Sequence, residues 1–334
     1  LKSWTLAVYE PLAEIFKGRQ QQAKIRECHG DLHTGNIVWW QGRFVPFDGI
    51  EFNDSFRWID ILSDAAFLAM DLRAVGHTPL AYQFINSYLE QTGDYRDLQL
   101  LRWYMVYRAL VRAKVAELAM RQHDSQSQEF QESCRDREQH IQLAAELTTA
   151  QSPSLHIMHG LSGSGKSTIA ERIVGQFGAI RLRADVERKR LWGKSADYRP
   201  SESETQRLYS PEMTARTYDQ LETLARRLMA AGYSVVVDAT FLKQKQRQQF
   251  HQLANELTVP FCIVDCTASI DTLRDRLRQR VADGSDASDA DLQVVDHQLQ
   301  SHEPLLPEEQ QFVIFADADF KLPALKVSGT SRRF

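Results

Sequence analysis

Long apolar runs are missing from this 334-residue chain. No stretch approaches the roughly 18 residues that a membrane-spanning helix needs, and mean hydropathy is −0.41, so the expectation is a soluble protein with no membrane partner. An excess of either charge is missing too: 40 Lys+Arg face 44 Asp+Glu, for a net charge of −4. Residues 1–150 carry 16 basic and 20 acidic side chains, and residues 151–334 carry 24 of each. That balance gives no electrostatic footprint for a nucleic-acid partner. Cysteine is scarce, with only Cys28, Cys134, Cys262 and Cys266. A lone C-x-x-x-C lacks the second ligand pair of a zinc site, and four cysteines are too few for a disulfide scaffold. A reducing cytoplasm is the simplest compartment. Internal repeats, low-complexity tracts, a signal peptide and an initiator Met are absent as well, and the start at Leu1 reads as that of a fragment.

What is present is ordinary globular composition, 43% hydrophobic and 25% charged. At roughly 100–200 residues per domain, the length predicts two domains. Residues 4–22 read as a helix, and two apolar runs, Ile37–Trp40 and Phe44–Phe47, read as a hairpin around Gln41-Gly42-Arg43. From Trp58 to about Leu147 the periodicity is helical throughout, and the Ser/Thr/Pro stretch Thr148–Pro153 marks the boundary. This divides the chain into 1–150, mostly helical, and 153–334. In the second part, strand candidates at Leu155–His159, Ala179–Ala184, Ser234–Ala239, Phe261–Cys266 and Phe312–Ala316 alternate with helices. Such alternation predicts an α/β fold on a mostly parallel sheet.

The strongest motif is Gly160-Leu161-Ser162-Gly163-Ser164-Gly165-Lys166-Ser167, which fits G-x-x-x-x-G-K-[ST] at every position between a strand and a helix. Gly160, Gly163 and Gly165 let the backbone turn its N–H groups toward phosphate oxygens, helped by Ser162, Ser164 and Thr168. Lys166 reaches the β/γ-phosphates and Ser167 ligates Mg²⁺. Asp185, after the second strand, is either a general base for an acceptor hydroxyl or an N-cap for Val186–Leu191. Asp238, at the end of an apolar strand, either holds the metal or caps the next element. Arg276 and Arg280 share a helix face, as lid arginines over a transferred phosphate would, or else as solvated charges. The acidic loop with Asp283, Asp286, Asp289 and Asp291 either attracts a cation or is simply solvated. ATP, Mg²⁺ and a small hydroxyl-bearing acceptor are the implied ligands. The rival reading is a nucleotide-binding switch without acceptor chemistry.

The segments Gly160–Thr168, Ala184–Leu191, Val237–Phe241, Arg276–Arg280 and Asp286–Ala290 together resemble the small P-loop kinases, a group that includes gluconate kinase-like, polynucleotide kinase-like and zeta-toxin-like enzymes. The resemblance covers about residues 153–325. It implies that Asp185 and Arg188 face the acceptor and that Arg276 and Arg280 belong to a lid. At position 184 this chain has Ala where many relatives carry Ser.

In the first half, His29-Gly30-Asp31-Leu32-His33-Thr34-Gly35-Asn36 spaces Asp and Asn five apart, as in the kinase catalytic loop, and Asp48 follows twelve residues later. Base Asp, metal Asn and metal Asp occur in that order. With Asp48–Asn53 and Trp58-Ile59-Asp60, these residues resemble the bacterial bifunctional aminoglycoside phosphotransferase/ATP-binding proteins. The resemblance implies Asp31 as base, Asn36 and Asp48 as metal ligands, and Glu51 as an additional ligand. Only 28 residues precede His29, with no glycine-rich loop among them, and Lys2, Lys17 and Lys24 lie outside strand patterns. The expectation is therefore an incomplete lower lobe that lacks the ATP-covering upper lobe.

Overall fold

The computed structural model describes residues 1–283 and 292–316. The chain divides into two compact units, Leu1–Tyr88 with Asp94–Gln151, and Leu89–Gly93 with Ser152–Phe334.

The first unit opens with helix α1 (Lys2–Gln21), strand β1 (Ile25–Glu27) and the hairpin β2 (Ile37–Trp40) and β3 (Arg43–Pro46). A short helix α2 (Asp54–Arg57) leads into strand β4 (Trp58–Asp60), and helices α3 (Ile61–Ala74), α4 (Thr78–Thr92), α5 (Gln99–Met120) and α6 (Gln128–Leu147) follow. The reading of Trp58 onward as purely helical is corrected here. Trp58–Asp60 is extended and pairs antiparallel with β1, Ile25 opposite Asp60. A three-residue strand carries no readable period, and its partner lies some thirty residues upstream. Asp60 then caps α3, accepting from Leu62 N at 2.9 Å. α5 packs against both α3 and α6, and Leu62, Phe67 and Met70 on α3 and Leu101, Val106 and Ala109 on α5 are all buried. The hairpin buries little, and Trp39, Trp40 and Phe44 stay exposed.

A buried guanidinium ties these elements together. Arg19, fully buried on α1, donates to Asp60 from Nε and Nη2 at 2.6 and 2.7 Å. It also donates to Asp94 from Nη1 and Nη2 at 2.9 and 2.8 Å. Tyr104 Oη adds a bond to Asp60 and Tyr88 Oη one to Asp94. Burial works against the charge, yet the bonds to Asp60 and Asp94 outweigh it and hold the Arg19 pKa above its usual range. A second buried network joins α3 to α6. Thr34 donates to Asp71 through N and Oγ1 at 2.8 and 2.6 Å. His140 stands 3.8 Å from Asp71 and 3.1 Å from Asp136. Burial disfavours its charged form, but these carboxylates prevail and raise the His140 pKa to about 9.

The second unit is a three-layer α/β fold. Its elements are β5 (Leu155–His159), α7 (Lys166–Phe177), β6 (Ile180–Arg183), α8 (Ala184–Leu191), α9 (Glu202–Leu208), α10 (Pro211–Ala230), β7 (Val235–Asp238), α11 (Gln244–Leu257), β8 (Phe261–Cys266), α12 (Ile270–Asp283), α13 (Leu292–Ser301) and β9 (Val313–Ala316). The strands are all parallel in the order β6-β7-β5-β8-β9. β5 and β7 are buried on both faces, as continuous apolar strands between helix layers must be. From β5 the chain builds first to one side and later to the other, so the carboxyl end of β5 lies at the switch point where open sheets bind ligands. The α9 helix did not stand out in the sequence because it is short and largely polar.

Two outcomes test the buried charges. Arg19→Met leaves Asp60 and Asp94 unpaired inside the fold and is expected to cost about 3–5 kcal/mol, read as a lower urea midpoint. A loss under about 1 kcal/mol would contradict the network's role. For His140, the folded pKa of about 9 lies above its ordinary 6.5. Its contribution is therefore full below pH 6.5 and is lost as pH rises through 9. The urea midpoint should fall across that window, and His140→Gln should flatten the fall; an unchanged slope in the variant would refute the assignment.

Candidate functional site

β5 ends at His159, and the next six residues form a tight loop that opens α7. Three of them have left-handed or otherwise glycine-favouring backbones: Gly160 at φ +134°, Gly163 at +84° and Gly165 at +94°. At Gly160 the constraint is also steric, since a Cβ there would lie 2.3 Å from the Cys266 carbonyl oxygen and 2.9 Å from Ser164 Oγ. Gly165 is the N-cap of α7 and supplies no side-chain cap. The first N–H groups of the helix thus point out of the loop with the positive end of the helix dipole behind them, the arrangement that receives an anion. Lys166 is buried and lies back across the loop, donating from Nζ to Leu161 O at 2.7 Å. Ser164 Oγ is buried with no hydrogen-bond partner. Ser167 is half-buried and Thr168 is exposed. From α12, Arg276 reaches over and donates to Gly163 O at 3.2 Å.

Asp238 ends β7, the strand hydrogen-bonded to both β5 and β6. It is buried, its Oδ2 accepts no hydrogen bond, and Arg183 Nε lies 3.9 Å away. The alternative that Asp238 caps the next element is overturned, because α11 starts at Gln244 with Lys243 at its N-cap. Asp185 is likewise no N-cap: α8 begins at Ala184 after Arg183, and Asp185 sits inside its first turn. Its Oδ1 accepts from Arg188 Nη1 at 2.7 Å and from Tyr209 Oη at 3.2 Å. Both bonds fall on one oxygen, which leaves Oδ2 without a partner among the described residues. Arg188 is buried and stacks on the Tyr209 ring at 4.5 Å. Tyr209 escaped the sequence reading because it lies 24 residues beyond Asp185 in a segment with no motif. An orphaned serine hydroxyl, an orphaned carboxylate oxygen and an uncapped helix start make a donor and acceptor set that fits a phosphate chain and a hard divalent cation.

The Arg280 side chain lies outside the described residues, as do the Asp283 side chain and all of Asp286, Asp289 and Asp291.

In the first unit, the segment from His29 to Asn36 is held from beneath. The backbone N–H groups of His29 and Gly30 both donate to Asp64 at 3.0 Å, and Arg108 Nη1 donates to Gly30 O at 3.1 Å. Asn36 is buried and donates from Nδ2 to Asp31 O and Oδ2 at 3.0 and 3.1 Å. His33 stands 3.4 Å from Asp31 and, ahead of the opposing effect of burial, holds its carboxyl below the usual range. Asp48 is exposed at φ +60°. The backbone on either side of it is bonded to the same loop, Phe47 N to Asn36 O and Ile50 N to His29 O, each at 2.9 Å. The structure therefore gathers Asp31 and Asn36 in direct contact and carries Asp48 on an adjoining backbone turn. Glu51 is exposed.

Residues 155–305 match the family model described as AAA domain. Three curated proteins, two from Mycobacterium tuberculosis strains and one from Mycobacterium bovis, each described as uncharacterized, are 31% identical over 274 residues. The match takes in 82% of this chain and 54% of theirs, so the chain spans about half the length of the curated relatives it matches. Among solved structures, a gluconokinase from Sinorhizobium meliloti is 18% identical at a TM-score of 0.37, over 51% of this chain and 86% of that one. The APS kinase of Mycobacterium tuberculosis, in complex with AMPPNP and APS, is 24% identical at a TM-score of 0.32, over 40% and 74%.

Proposed function

We propose that the second unit is an ATP- and Mg²⁺-dependent phosphotransferase that passes a γ-phosphate to a hydroxyl of a small molecule. The observation that carries this reading is the loop Gly160–Gly165, whose backbone opens onto an uncapped helix while Ser164 Oγ stays buried and unpartnered. Burying an unsatisfied hydroxyl costs roughly 1–3 kcal/mol, a cost that a bound phosphate oxygen removes.

Lys166 leaves the Leu161 carbonyl for the β/γ-phosphate oxygens, and the N–H groups of Gly163 to Ser167 surround the β-phosphate. Ser167 and Asp238 would hold Mg²⁺, which when bound screens the phosphate charges. Asp185 takes the acceptor's proton on Oδ2, while Arg188 and Tyr209 fix its carboxylate from the Oδ1 side. Arg276 moves from the Gly163 carbonyl onto the transferred phosphate, and Arg280 follows on the same helix. Thr168, exposed at the start of α7, completes the loop. Arg188, already bonded to Asp185, orients the base as well as meeting the acceptor. A switch without acceptor chemistry would need the loop but not this carboxylate.

For the first unit we assign the lower half of an aminoglycoside phosphotransferase-like site, with Asp31 as base and Asn36 and Asp48 as metal ligands. The residues before His29 form α1 and β1 and supply no glycine-rich loop. We read ATP turnover by this chain as belonging to the second unit, a reading supported by the buried, unpartnered Ser164 Oγ in its glycine loop.

The test measures binding and consumption of ATP by the full chain in the presence of candidate hydroxyl acceptors. Lys166→Ala should lower turnover by roughly 10²–10³-fold and weaken nucleotide binding. Asp185→Asn should abolish turnover while leaving ATP affinity within about twofold, because Asp185 acts on the acceptor rather than the nucleotide. Asp31→Asn should leave turnover unchanged. An Asp185→Asn variant as active as its parent would refute the phosphotransferase reading, and a Lys166→Ala variant that binds ATP normally would refute the phosphate loop itself.

A further inference from the structure

The stretch from Gln298 to Pro304, at the end of α13 and in the turn after it, touches the phosphate loop and its supports in three places. First, the Gln298 amide engages both polar groups of Ser162: its Oε1 accepts from Ser162 N at 2.9 Å, and its Nε2 donates to Ser162 Oγ at 3.0 Å. A backbone N–H can only donate, so Oε1 must face it, and that orientation commits Nε2 to the hydroxyl. Second, His302 Nε2 lies 3.3 Å from Nε2 of His159, the residue immediately before Gly160. His159 is buried, and its Nδ1 lies 2.6 Å from Asp265 Oδ1 at the end of β8. With His159 Nδ1–H given to Asp265, its Nε2 accepts and His302 Nε2–H donates.

Third, the turn is fastened to the loop that follows Asp238. Glu303 N donates to Leu242 O at 2.9 Å. The Glu303 carboxylate accepts from Gln244 N at 2.7 Å and from Lys243 Nζ at 3.2 Å. Arg247, almost fully buried, donates to Phe241 O, Glu303 O and Pro304 O at 3.1, 3.2 and 3.0 Å. One short segment thus spans the loop after β5, the last residue of β5 and the loop after β7.

We propose that Gln298 is a positioning residue of the phosphate loop, and that residues 298–304 form a brace setting the loop's distance from the Asp238 strand end. This rests on the phosphate-loop reading above and adds to it a residue some 130 positions from the motif. Gln298 takes no part in the chemistry. Its amide holds Ser162, the third residue of the loop, so that the N–H groups from Gly163 onward are presented in one arrangement instead of being ordered by the nucleotide at the moment of binding. Preorganisation of this kind appears as affinity.

The test combines binding of MgATP with amide hydrogen exchange on the full chain. Gln298→Leu removes both bonds at similar volume and leaves a buried N–H unpaired, so MgATP affinity should fall about tenfold. Exchange at residues 162–165 should accelerate in the free protein, with protection of β7 and α10 unchanged. Ser162→Ala keeps the N–H bond and should cost no more than about threefold, and the double variant should bind no more weakly than Gln298→Leu alone. Gln298→Glu can still accept from both Ser162 groups, so loop protection should persist in that variant. If Gln298→Leu does not fold, Ser162→Ala and Gln298→Glu carry the test through the same exchange measurement. Normal MgATP affinity in Gln298→Leu, additive losses in the double variant, or loss of loop protection in Gln298→Glu would overturn the brace. If Lys166→Ala also binds MgATP like its parent, the phosphate-loop reading fails instead.

Discussion

An uncapped helix start at the carboxyl end of a central strand is the constraint around which the second unit is organised. Gly165 at the head of α7 has no side chain and supplies no side-chain cap to the first turn of that helix. Such an opening is tolerable only where water or an anion reaches it. The surrounding structure keeps that opening in place. Gly160 passes so close to the Cys266 carbonyl that no other residue fits, and this pins the loop against the end of β8. β7 delivers Asp238 beside it because β5 and β7 are parallel neighbours in register, Ile157 opposite Val237. Ser164 and Asp238 at this opening each carry a buried polar atom without a hydrogen bond, a cost that the proposed phosphate and cation would remove.

The first unit uses charge differently. Several of its buried ionic groups are matched and bonded: Arg19 to Asp60 and Asp94, Thr34 to Asp71, and the N–H groups of His29 and Gly30 to Asp64. Pairs of this kind contribute little net stability compared with apolar residues of the same shape, but breaking one partner is expensive. Their effect is to specify geometry. Arg19 fixes where α1 meets the β4–α3 junction, and Asp64 and Asp71 fix the path of the segment that carries Asp31 and Asn36. A loop held by carboxylates from beneath can present its own polar side chains in one arrangement.

What was legible in the sequence follows how local each signal is. The strand–loop–helix at residues 155–177 is contiguous, and each of its residue types has a steric or electrostatic reason, from β5 through the glycine loop into α7. The parallel sheet was legible because buried strands read as unbroken apolar runs, as Val235-Val236-Val237 does. The β1–β4 pair was not legible, since three-residue strands bonded across about thirty residues have no period of their own. Tyr209 on Asp185 and Gln298 on Ser162 were invisible for the same reason: each contact depends on tertiary placement, and nothing near either residue announces it. The acidic stretch around Asp286 lies outside the described residues.

The two halves of the sequence carry kinase-like spacing of unequal completeness, and the physical distinction lies in what each loop does with its polar atoms. In the first unit, Asn36 spends its amide on Asp31 and His33 faces the same carboxylate. Asp48 stands exposed on a turn with no covering element among the described residues. In the second unit, Ser164 Oγ and Asp238 Oδ2 are withdrawn from water without a hydrogen bond, and Arg183 Nε stands 3.9 Å from the carboxylate oxygen. Withdrawing a polar atom from solvent without a partner is unfavourable unless a ligand completes it. His29 Nδ1 in the first-unit loop is buried without a partner as well, so the distinction rests on where Ser164 and Asp238 lie, at adjoining strand ends beside a helix start. The nucleotide chemistry proposed for this chain is read as belonging there, at the end of β5, and the proposed brace from Gln298 would hold that site open.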